Sequence, residues 1–248
     1  MLSNYSEYFK FIGEYASQSS AIDSLAEKKA QAISDAIFNQ DVNPQTVLSL
    51  GFGLIPIGLI NKGYNVTIGH CSTSCKKYGE HIGILDSMTD KTLPDFVAQE
   101  EQFDVVIAAD DFMTYFETEE EQQIACRQLV KLAKKLVILT CRDYKNLPVY
   151  HRQFDEPLVF SYIEDKDVIM FQRRKWSRYE KQTWQNYMYA ITDERTDILG
   201  PTTRRTIYFK QLAKYMHDCE ISSFYIEKNL LYKPLFAKHY EHIICIKP

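Results

Sequence analysis

The segment from residue 46 to residue 69 constrains the fold of this chain more than any other. An apolar, β-rich run at 46–50 ends at Gly51-Phe52-Gly53, an apolar segment follows at 54–60, and Gly63 precedes a second β-rich run at 64–69. A strand, a glycine turn, a helix and another strand within about 25 residues make a βαβ unit, in which the strands are parallel and the crossover is right-handed. The sequence therefore predicts an α/β protein built on a parallel sheet.

Apolar runs further along the chain extend this alternation of strands and helices. Residues 103–109 and 136–140 are apolar apart from Asp104 and Thr140, as expected for strands that are buried on both faces, and a weaker strand candidate spans residues 81–85. Thr118 and Glu121 match a capping box at the start of a helix that continues to about residue 135. Because five strand candidates alternate with helices in this part of the chain, we expect a doubly wound parallel sheet.

The flanking regions have other patterns. Apolar residues at spacings of three and four predict an amphipathic helix over residues 20–39. After residue 141, apolar runs at 158–162 and 168–171 flank a charged turn and predict a β-hairpin. The remaining predicted elements are a strand at 182–190, a helix at 209–217, and strands at 220–226 and 239–246.

We expect one domain over residues 1–248, because the chain has no internal repeat, no low-complexity tract and no long linker. It would comprise an N-terminal helical segment at 1–40, a core formed by 45–141 and 207–248, and a β-rich cap insertion at 142–206.

The composition narrows the expected partners and compartment. A net charge of −4 and a pI near 5.9 provide no field that would attract nucleic acid or an anionic membrane. The six cysteines are scattered, several of them within apolar runs, as expected for reduced, buried thiols. No stretch approaches about 18 uninterrupted apolar residues and the first residues lack the regions of a secretory signal, so we expect a cytoplasmic protein with neither a nucleic-acid nor a membrane partner.

From about residue 20 to residue 248, this order of elements resembles the class I S-adenosylmethionine-dependent methyltransferases. The glycine loop at 48–53 is similar to the family's first motif, residues 63–70 to its second strand, and residues 103–112 to its fourth-strand motif. Residues 168–174 and 204–212 resemble the basic, aromatic hairpin that precedes the penultimate helix in small-molecule methyltransferases. The final pair of strands is also typical of that family.

The resemblance implies a three-layer α/β/α sandwich. Its sheet would be mostly parallel and seven-stranded, with an antiparallel last strand, and a small antiparallel β insertion would be added. The resemblance also implies S-adenosylmethionine as cofactor and a small molecule as methyl acceptor. Methyl transfer from a sulfonium is an in-line displacement, so the protein must mainly align the acceptor and exclude water. A general base is needed only when the nucleophile arrives protonated.

Several positions depart from the family pattern. Ile55 stands at the third glycine of the usual G-x-G-x-G motif, and His70 ends the second strand, where the family normally has an acidic residue for the ribose hydroxyls. Residues 110–113 differ from the Asn/Asp-Pro-Pro-Tyr signature of amino-group nucleic-acid methyltransferases. A catalytically inactive, methyltransferase-like ligand-binding protein is therefore an alternative hypothesis. A nicotinamide-dependent enzyme is a third, against which the final strand pair and the incomplete glycine motif count.

Candidate residues for the cofactor and for catalysis follow from the resemblance and from the carboxyl ends of the strands, where open α/β sheets bind ligands. A glycine has no Cβ to block a ligand, and it can adopt positive φ. The candidates for cofactor binding are Gly51, Phe52, Gly53, His70, Asp86 (near the adenine amino group) and Asp110, and the candidates for catalysis, from position alone, are Asp111 and Tyr115. The alternative at each is a local role: a tight turn at the glycines, a strand end at His70, a cap or turn at the aspartates.

A basic, aromatic stretch in the insertion supplies candidates for substrate binding. The stretch comprises Arg173, Arg174, Trp176, Tyr179 and Trp184, and it could cap the active site and grip an anionic or aromatic substrate through bidentate and cation–π contacts. Arg173, Trp176 and Tyr179 are the candidates for substrate binding. The alternative is the outer hairpin of a small sheet, with its arginines in water and its aromatic rings packed beneath. Aromatic residues near the N-terminus are open to a similar pair of interpretations, as a mobile lid or as a packing segment: Tyr5, Tyr8, Phe9 and Tyr15.

A metal site is not expected. His70, Cys71, Cys75 and His81 are near enough in sequence to be considered as a zinc cluster. Their spacing, however, matches no standard zinc signature. The class I methyltransferases that the chain resembles need no metal.

Overall fold

The computed structural model describes residues 11, 21–51, 53–71, 73–109, 111–142, 144, 152–154, 158–161, 167–177, 182–219, 221–232 and 239–248. Several residues singled out above lie outside the described ranges: Tyr5, Tyr8, Phe9, Tyr15, Phe52, Asp110 and Tyr179.

Six helices and eleven strands make up the described part of the chain. The helices are α1 (Ala21–Asn39), α2 (Leu54–Asn61), α3 (Thr73–His81), α4 (Leu93–Ala98), α5 (Glu119–Leu132) and α6 (Phe209–His217). The strands are β1 (Val47–Leu50), β2 (Val66–Gly69), β3 (Phe103–Ala108), β4 (Ala133–Arg142), β5 (Arg152–Phe154), β6 (Leu158–Ser161), β7 (Asp167–Trp176), β8 (Thr183–Ile191), β9 (Thr196–Arg205), β10 (Ser223–Tyr232) and β11 (His239–Lys247). Two short 3-10 helices lie at Leu85–Ser87 and Phe112–Tyr115.

Six of the strands form a mostly parallel central sheet in the order β10-β11-β4-β3-β1-β2. Strands β2, β1, β3 and β4 are parallel, β11 runs antiparallel to β4, and β10 runs antiparallel to β11. All residues of β1 and β3 are buried, as predicted for strands that are covered on both faces. The predicted α/β class, with a mostly parallel sheet and an antiparallel last strand, is confirmed.

Helices cover both faces of this sheet. The chain moves from β1 to β2 in one direction along the sheet and from β3 to β4 in the other. Because such crossovers are right-handed, α2 and α5 lie on opposite faces. Helix α1 packs against α2, whereas α4 and α6 pack against α5. None of the described helices is long and apolar enough to cross a membrane.

The prediction of a strand at residues 81–85 is wrong, because this segment forms the C-terminal end of helix α3 and the turn that follows it. Gly83 has a φ of +75° and its N–H donates to the carbonyl of Glu80 at 3.2 Å, while the Ile84 N–H donates to the carbonyl of Gly79 at 2.8 Å. This pair of hydrogen bonds is the Schellman motif that ends many helices. The apolar residues of the segment therefore belong to a helix terminus.

The place of a seventh strand, beside β2, holds a single parallel bridge between Ile68 and Met88. In the described part of the chain the central sheet thus has six strands instead of the seven that were predicted.

The capping box predicted at the start of α5 is present. Thr118 Oγ1 accepts a hydrogen bond from the Glu121 N–H at 3.1 Å, and the Glu121 carboxylate accepts one from the Thr118 N–H at 3.2 Å. The helix ends at Leu132, earlier than predicted, because β4 begins at the next residue.

A second, antiparallel sheet is formed by β5 to β9, which all lie between β4 and α6 in the chain. Its order is β5-β7-β8-β9, and β6 also pairs with β7. The predicted hairpin is confirmed as the β6–β7 pair, and the strand predicted at 182–190 is β8. Strands β5 and β9 were not predicted. Strand β9 contains Gly200 and Pro201, two residue types that usually interrupt strands.

Candidate functional site

The carboxyl ends of the parallel strands meet at one edge of the central sheet. Gly51 follows β1, His70 follows β2, Asp111 lies three residues after β3, and Arg142 ends β4. In open α/β sheets this edge binds ligands. We call it the carboxyl edge.

Gly51 makes the turn at the end of β1. Its φ is +104°, in the region that favours glycine, and its N–H donates to the carbonyl of Gly69 at 3.1 Å. Gly53 differs, because its φ of 179° is extended backbone that any residue can adopt. The conformational reason for glycine therefore holds at Gly51 alone. At Gly53, absence of a Cβ matters only for close approach of another group.

Helix α2 begins directly after this turn. Its N-cap residue, Gly53, has no side chain that could cap the N-terminus, and no acidic residue lies in its first turn. Ile55, at the third glycine position of the family motif, is fully buried in the core. The side chain that replaces the family's glycine at this position therefore packs in the apolar core.

His70 joins the end of β2 to the start of α4. It has a φ of +59°, its N–H donates to the Lys91 carbonyl at 2.9 Å, and its Nε2 atom accepts a hydrogen bond from the Leu93 N–H at 2.9 Å. The ring lies edge-on to Phe112, with the centroids 6.0 Å apart. Burial lowers the pKa of His70 to about 4, against a weaker opposing effect of Asp95. The imidazole is therefore neutral at neutral pH, with Nε2 as acceptor and the proton on Nδ1.

This hydrogen bond changes the role expected for His70. A ring nitrogen of His70 was expected to meet a ribose hydroxyl, and one of the two, Nε2, accepts a hydrogen bond from the Leu93 N–H instead. His70 therefore holds the end of β2 to the segment from Lys91 to Leu93. Among the described residues, no group of three or more His, Cys, Asp or Glu side chains could hold a metal ion.

Asp86 does not lie at the carboxyl edge. It is exposed in the 3-10 helix that precedes the bridge between Ile68 and Met88. Because this bridge is parallel, the chain reaches the carboxyl edge only after Met88, where the Cys71 N–H donates to the Thr89 carbonyl at 2.9 Å. The residue that follows, Asp90, therefore lies at this edge.

Asp111 ties the end of β3 to the end of β4. One carboxylate oxygen accepts from the Arg142 N–H at 2.9 Å, and the other lies 2.8 Å from Arg142 Nε. Asp111 also has a φ of +59°, so the backbone is in the left-handed region here. Both oxygens are engaged by one partner, which favours a structural role over that of a general base.

Tyr115 lies where the second sheet meets the carboxyl edge. Its ring is buried, and the Arg204 guanidinium of β9 stacks over it, 3.4 Å from the ring centroid. The Gln122 amide of α5 donates to the carbonyl of Met113 at 3.0 Å and to that of Arg205 at 3.4 Å. These contacts anchor the end of β9 to the 3-10 helix after β3.

The two faces of the second sheet differ in burial. Trp176 of β7 pairs in register with Trp184 of β8, with ring centroids 4.9 Å apart, and the Tyr144 ring lies 5.5 Å from the Trp184 ring. Burial raises the pKa of Tyr144 well above its usual range, and Asp111 raises it further, so the phenol stays neutral. We call the face that carries Trp176 and Trp184 the inner face, because it packs on the carboxyl edge.

Arg173 and Trp176, both predicted to bind substrate, point to opposite faces of β7. Successive residues of a strand point to alternate faces, so two residues that are three positions apart lie on opposite faces. Arg173 stacks on Tyr187, 4.1 Å from its ring centroid, on the outer face. The arginine of β7 on the inner face is Arg174, which is 2% exposed.

Sequence reasoning missed two contributors to this site, Tyr144 and Arg204. Tyr144 belongs to no motif, and Arg204 begins the segment 204–212, whose resemblance to the family assigned this residue no role. Tyr144 follows the end of β4 by two residues, and Arg204 lies on a strand that was not predicted. A strand assigned across Gly200 and Pro201 would have placed Arg204 opposite Trp184, its register partner.

No protein-family model and no curated protein sequence matches the chain. Solved structures do. The chain is similar to an S-adenosylmethionine-dependent methyltransferase from Clostridium acetobutylicum ATCC 824, with a TM-score of 0.63 and 14% identity, over 88% of this chain and 91% of that one. It is similar to the S-adenosylmethionine-bound amino pentose methyltransferase CalS10 from Micromonospora echinaspora, with a TM-score of 0.62 and 9% identity, over 90% of this chain and 92% of that one.

A third similar structure is the sugar N-methyltransferase KedS8 from Streptoalloteichus sp ATCC 53650, with a TM-score of 0.64 and 10% identity, over 88% of this chain and 86% of that one. At such identities the likeness concerns the fold. It agrees with the mostly parallel sheet, its antiparallel last strand and the inserted second sheet. The chain therefore has the class I, Rossmann-like fold of the S-adenosylmethionine-dependent methyltransferases.

Proposed function

We propose that this chain is an S-adenosylmethionine-dependent methyltransferase that acts on a small molecule. The observation that carries the proposal is the turn at Gly51, which has positive φ and lies at the carboxyl edge of a sheet of this fold. The similar amino pentose methyltransferase, which is S-adenosylmethionine-bound, supports the same cofactor here.

The turn after β1 fits an adenosyl group through its backbone. With no Cβ at Gly51, a ligand can approach the main chain closely, and the first turn of α2 offers the backbone N–H groups of Leu54 and Ile55 as donors. We assign Gly51, Phe52, Gly53 and Asp110 to the cofactor site. Bound there, the cofactor would supply an electrophilic methyl group on a sulfonium.

His70 and Asp90 define the ribose and adenine side of this site in our proposal. His70 holds the segment from Lys91 to Leu93 against the end of β2. Because its imidazole is neutral, it adds no charge to the site. Asp90 is a carboxylate on the β2 side of this edge, and in our proposal it takes the role for which Asp86 had been a candidate. The Nζ atom of Lys76 lies 3.7 Å from the Oδ1 atom of Asp90.

The acceptor, we propose, binds between the carboxyl edge and the inner face of the second sheet. In this arrangement residues 142–206 are a cap insertion within a single domain. Tyr144, Trp176 and the Arg204–Tyr115 stack form the contact between the two sheets. The similar sugar N-methyltransferase and amino pentose methyltransferase support a small acceptor with an amine. Arg173 is left out of the proposed site because it lies on the outer face.

Catalysis by alignment is the mechanism that these residues support. A neutral amine needs no base to attack a methyl group, so the enclosing sheets must mainly orient it and exclude water. Asp111 positions Arg142 at the carboxyl edge, and Tyr115 forms a wall beneath Arg204. Neither has to move a proton in this mechanism.

Isothermal titration calorimetry with S-adenosylmethionine tests the cofactor site. Gly51→Ala and Gly63→Ala are a matched pair, since both glycines have positive φ, +104° and +86°, but only Gly51 is at the carboxyl edge. Each alanine should cost about 1–2 kcal/mol of folding free energy through backbone strain. Only Gly51→Ala should also weaken cofactor binding, by about tenfold or more, or 1.4 kcal/mol. No binding by the unaltered chain, or equal weakening in both variants, would contradict the proposal.

The alternative, a methyltransferase-like binding protein without catalysis, is favoured by the engagement of His70 Nε2 with Leu93. His70→Asp restores the acidic residue that is usual in the family. If the parent chain binds no S-adenosylmethionine and this variant does, the alternative is correct. Strong binding by the parent, with release of S-adenosylhomocysteine when an amino sugar is added, excludes it.

A further inference from the structure

The outer face of the second sheet carries large apolar side chains at positions where an antiparallel sheet with one face in water usually carries polar ones. Among the described residues of β7, β8 and β9, six share this property, and we call them the outer-face patch: Ile169, Phe171, Tyr187, Tyr189, Ile191 and Ile198. Ile198 is 57% exposed and Ile169 is 38% exposed. An exposed apolar patch on a globular protein marks a surface for interaction.

One row of register partners crosses the middle of the patch, and we call it the middle row. Phe171 of β7 pairs with Tyr189 of β8, and Tyr189 pairs with Ile198 of β9. The rings of Phe171 and Tyr189 are stacked, with 4.6 Å between their centroids and 6° between their planes. Beside the row, Arg173 lies over the Tyr187 ring, 4.1 Å from its centroid. Tyrosine and arginine contribute strongly at protein interfaces, and rings that are already ordered by stacking lose little freedom on association.

The two sides of the middle row carry opposite charge. On one side, three outer-face positions are cationic: Arg173, Lys175 and Arg205. On the other side, the turn between β8 and β9 and the start of β9 hold three carboxylates and one guanidinium, a net charge of −2: Asp193, Glu194, Arg195 and Asp197. Lys175 is exposed and is the register partner of Gln185, four residues before Tyr189. Asp193 is exposed and follows Tyr189 by four residues, so the middle row is about equally far from both charges.

We infer that the outer-face patch is the interface between two copies of this chain. A closed dimer has a two-fold axis, and two sheets that pack face to face have this axis between them. With the axis along the middle row, across the strands, Ile198 meets the partner's Ile198, and Lys175 meets the partner's Asp193. An axis parallel to the strands would instead bring like charges together, which is unfavourable. The distribution of charge therefore selects the axis along the middle row.

The area of this face is sufficient for a specific but weak dimer. Four strands lie side by side at each level of the sheet, since β5 and β6 pair with different parts of β7. With strands about 4.8 Å apart and an advance of about 3.3 Å per residue, the face from Gln185 to Asp193 measures about 19 Å by 26 Å. Two such faces bury about 1,000 Å² in total, which is where specific interfaces begin. We therefore expect dissociation in the micromolar range.

Sedimentation velocity of the full chain, without cofactor, tests the inference over total concentrations from about 1 µM to about 200 µM, which bracket micromolar dissociation. We expect a reversible equilibrium between monomer and dimer. A monomer at every concentration overturns the inference. Because the measurement uses neither cofactor nor methyl acceptor, its outcome is independent of the proposed function.

A matched pair of variants assigns the dimer to the patch. Ile198→Lys places two ammonium groups together at the axis, and Ile226→Lys is the control, because Ile226 is 49% exposed on β10 of the central sheet. We expect Ile198→Lys to weaken dimerisation about tenfold or more and Ile226→Lys to leave it unchanged. Both side chains are already largely exposed, so both variants should fold, and circular dichroism checks this. Equal effects of the two substitutions overturn the inference.

A charge exchange tests the direction of the axis and does not depend on Ile198→Lys folding. Lys175→Asp and Asp193→Lys should each weaken the dimer about threefold or more, because each brings like charges together at two symmetry-related places. The double variant should regain the affinity of the unaltered chain, since the reversed pair again has opposite charges. A double variant that dimerises no more tightly than the single variants overturns the inferred arrangement.

Discussion

The buried, neutral His70 predicts a specific loss of stability in mild acid. Burial lowers its pKa from 6.5 to about 4 in the folded chain. Between these values the unfolded chain binds a proton that the folded chain excludes, so the free energy of unfolding falls as the pH decreases. From pH 7.5 to pH 5 the loss due to this one group is about 2 kcal/mol, or about 4–8 °C in melting temperature for a chain of this size.

The matched variant is His70→Gln, whose side-chain oxygen can accept the Leu93 hydrogen bond without titrating. Urea denaturation at pH 7.5 and pH 5, in the absence of ligand, gives the free energy of unfolding of both chains. The unaltered chain should lose about 2 kcal/mol more than the variant over this interval. Equal losses would refute the reasoning, because they would show that His70 does not exclude the proton in the folded state.

Two further predictions concern residues around the same edge. Asp111→Asn should lower the free energy of unfolding by about 1–3 kcal/mol, because the Arg142 guanidinium loses its carboxylate partner, and urea denaturation measures this. Turnover should fall less than about a hundredfold, since a larger loss is the range for removal of a general base and would contradict the positioning role. Gly69→Ala should destabilise the fold by about 1–3 kcal/mol, because the new Cβ would lie 2.8 Å from a ring carbon of Phe96 and 3.2 Å from the Lys91 carbonyl. An unchanged urea midpoint would show that Phe96 moves aside freely.

The central sheet could be predicted where local pattern and tertiary environment agree. Residues 47–50 and 103–108 are apolar apart from Ser49 and Asp104, and both are strands buried on two faces. The segment at 81–85 has a similar apolar content but a different origin, since its glycine adopts positive φ at a helix end. Recognising helix α3 first would have identified Gly83 as a helix-ending residue.

The site was less accessible to sequence reasoning, because its contacts join distant parts of the chain. Position 70 was singled out because a histidine there departs from the family pattern, but its hydrogen bond to Leu93 spans 23 residues. Asp111 likewise meets Arg142 across 31 residues. Alternation along β7 predicts that Arg173 and Arg174 lie on opposite faces, yet only the packing of Tyr144 on Trp176 and Trp184 decides which face is inner.

A crystal structure of the chain with S-adenosylhomocysteine tests the central claim most directly. The account predicts density for the nucleoside at the carboxyl edge, in contact with the turn from Gly51 to Gly53 and beside Asp90. Side chains that fill the space beside that turn, with no nucleoside bound there, would contradict a cofactor role while leaving the fold as described.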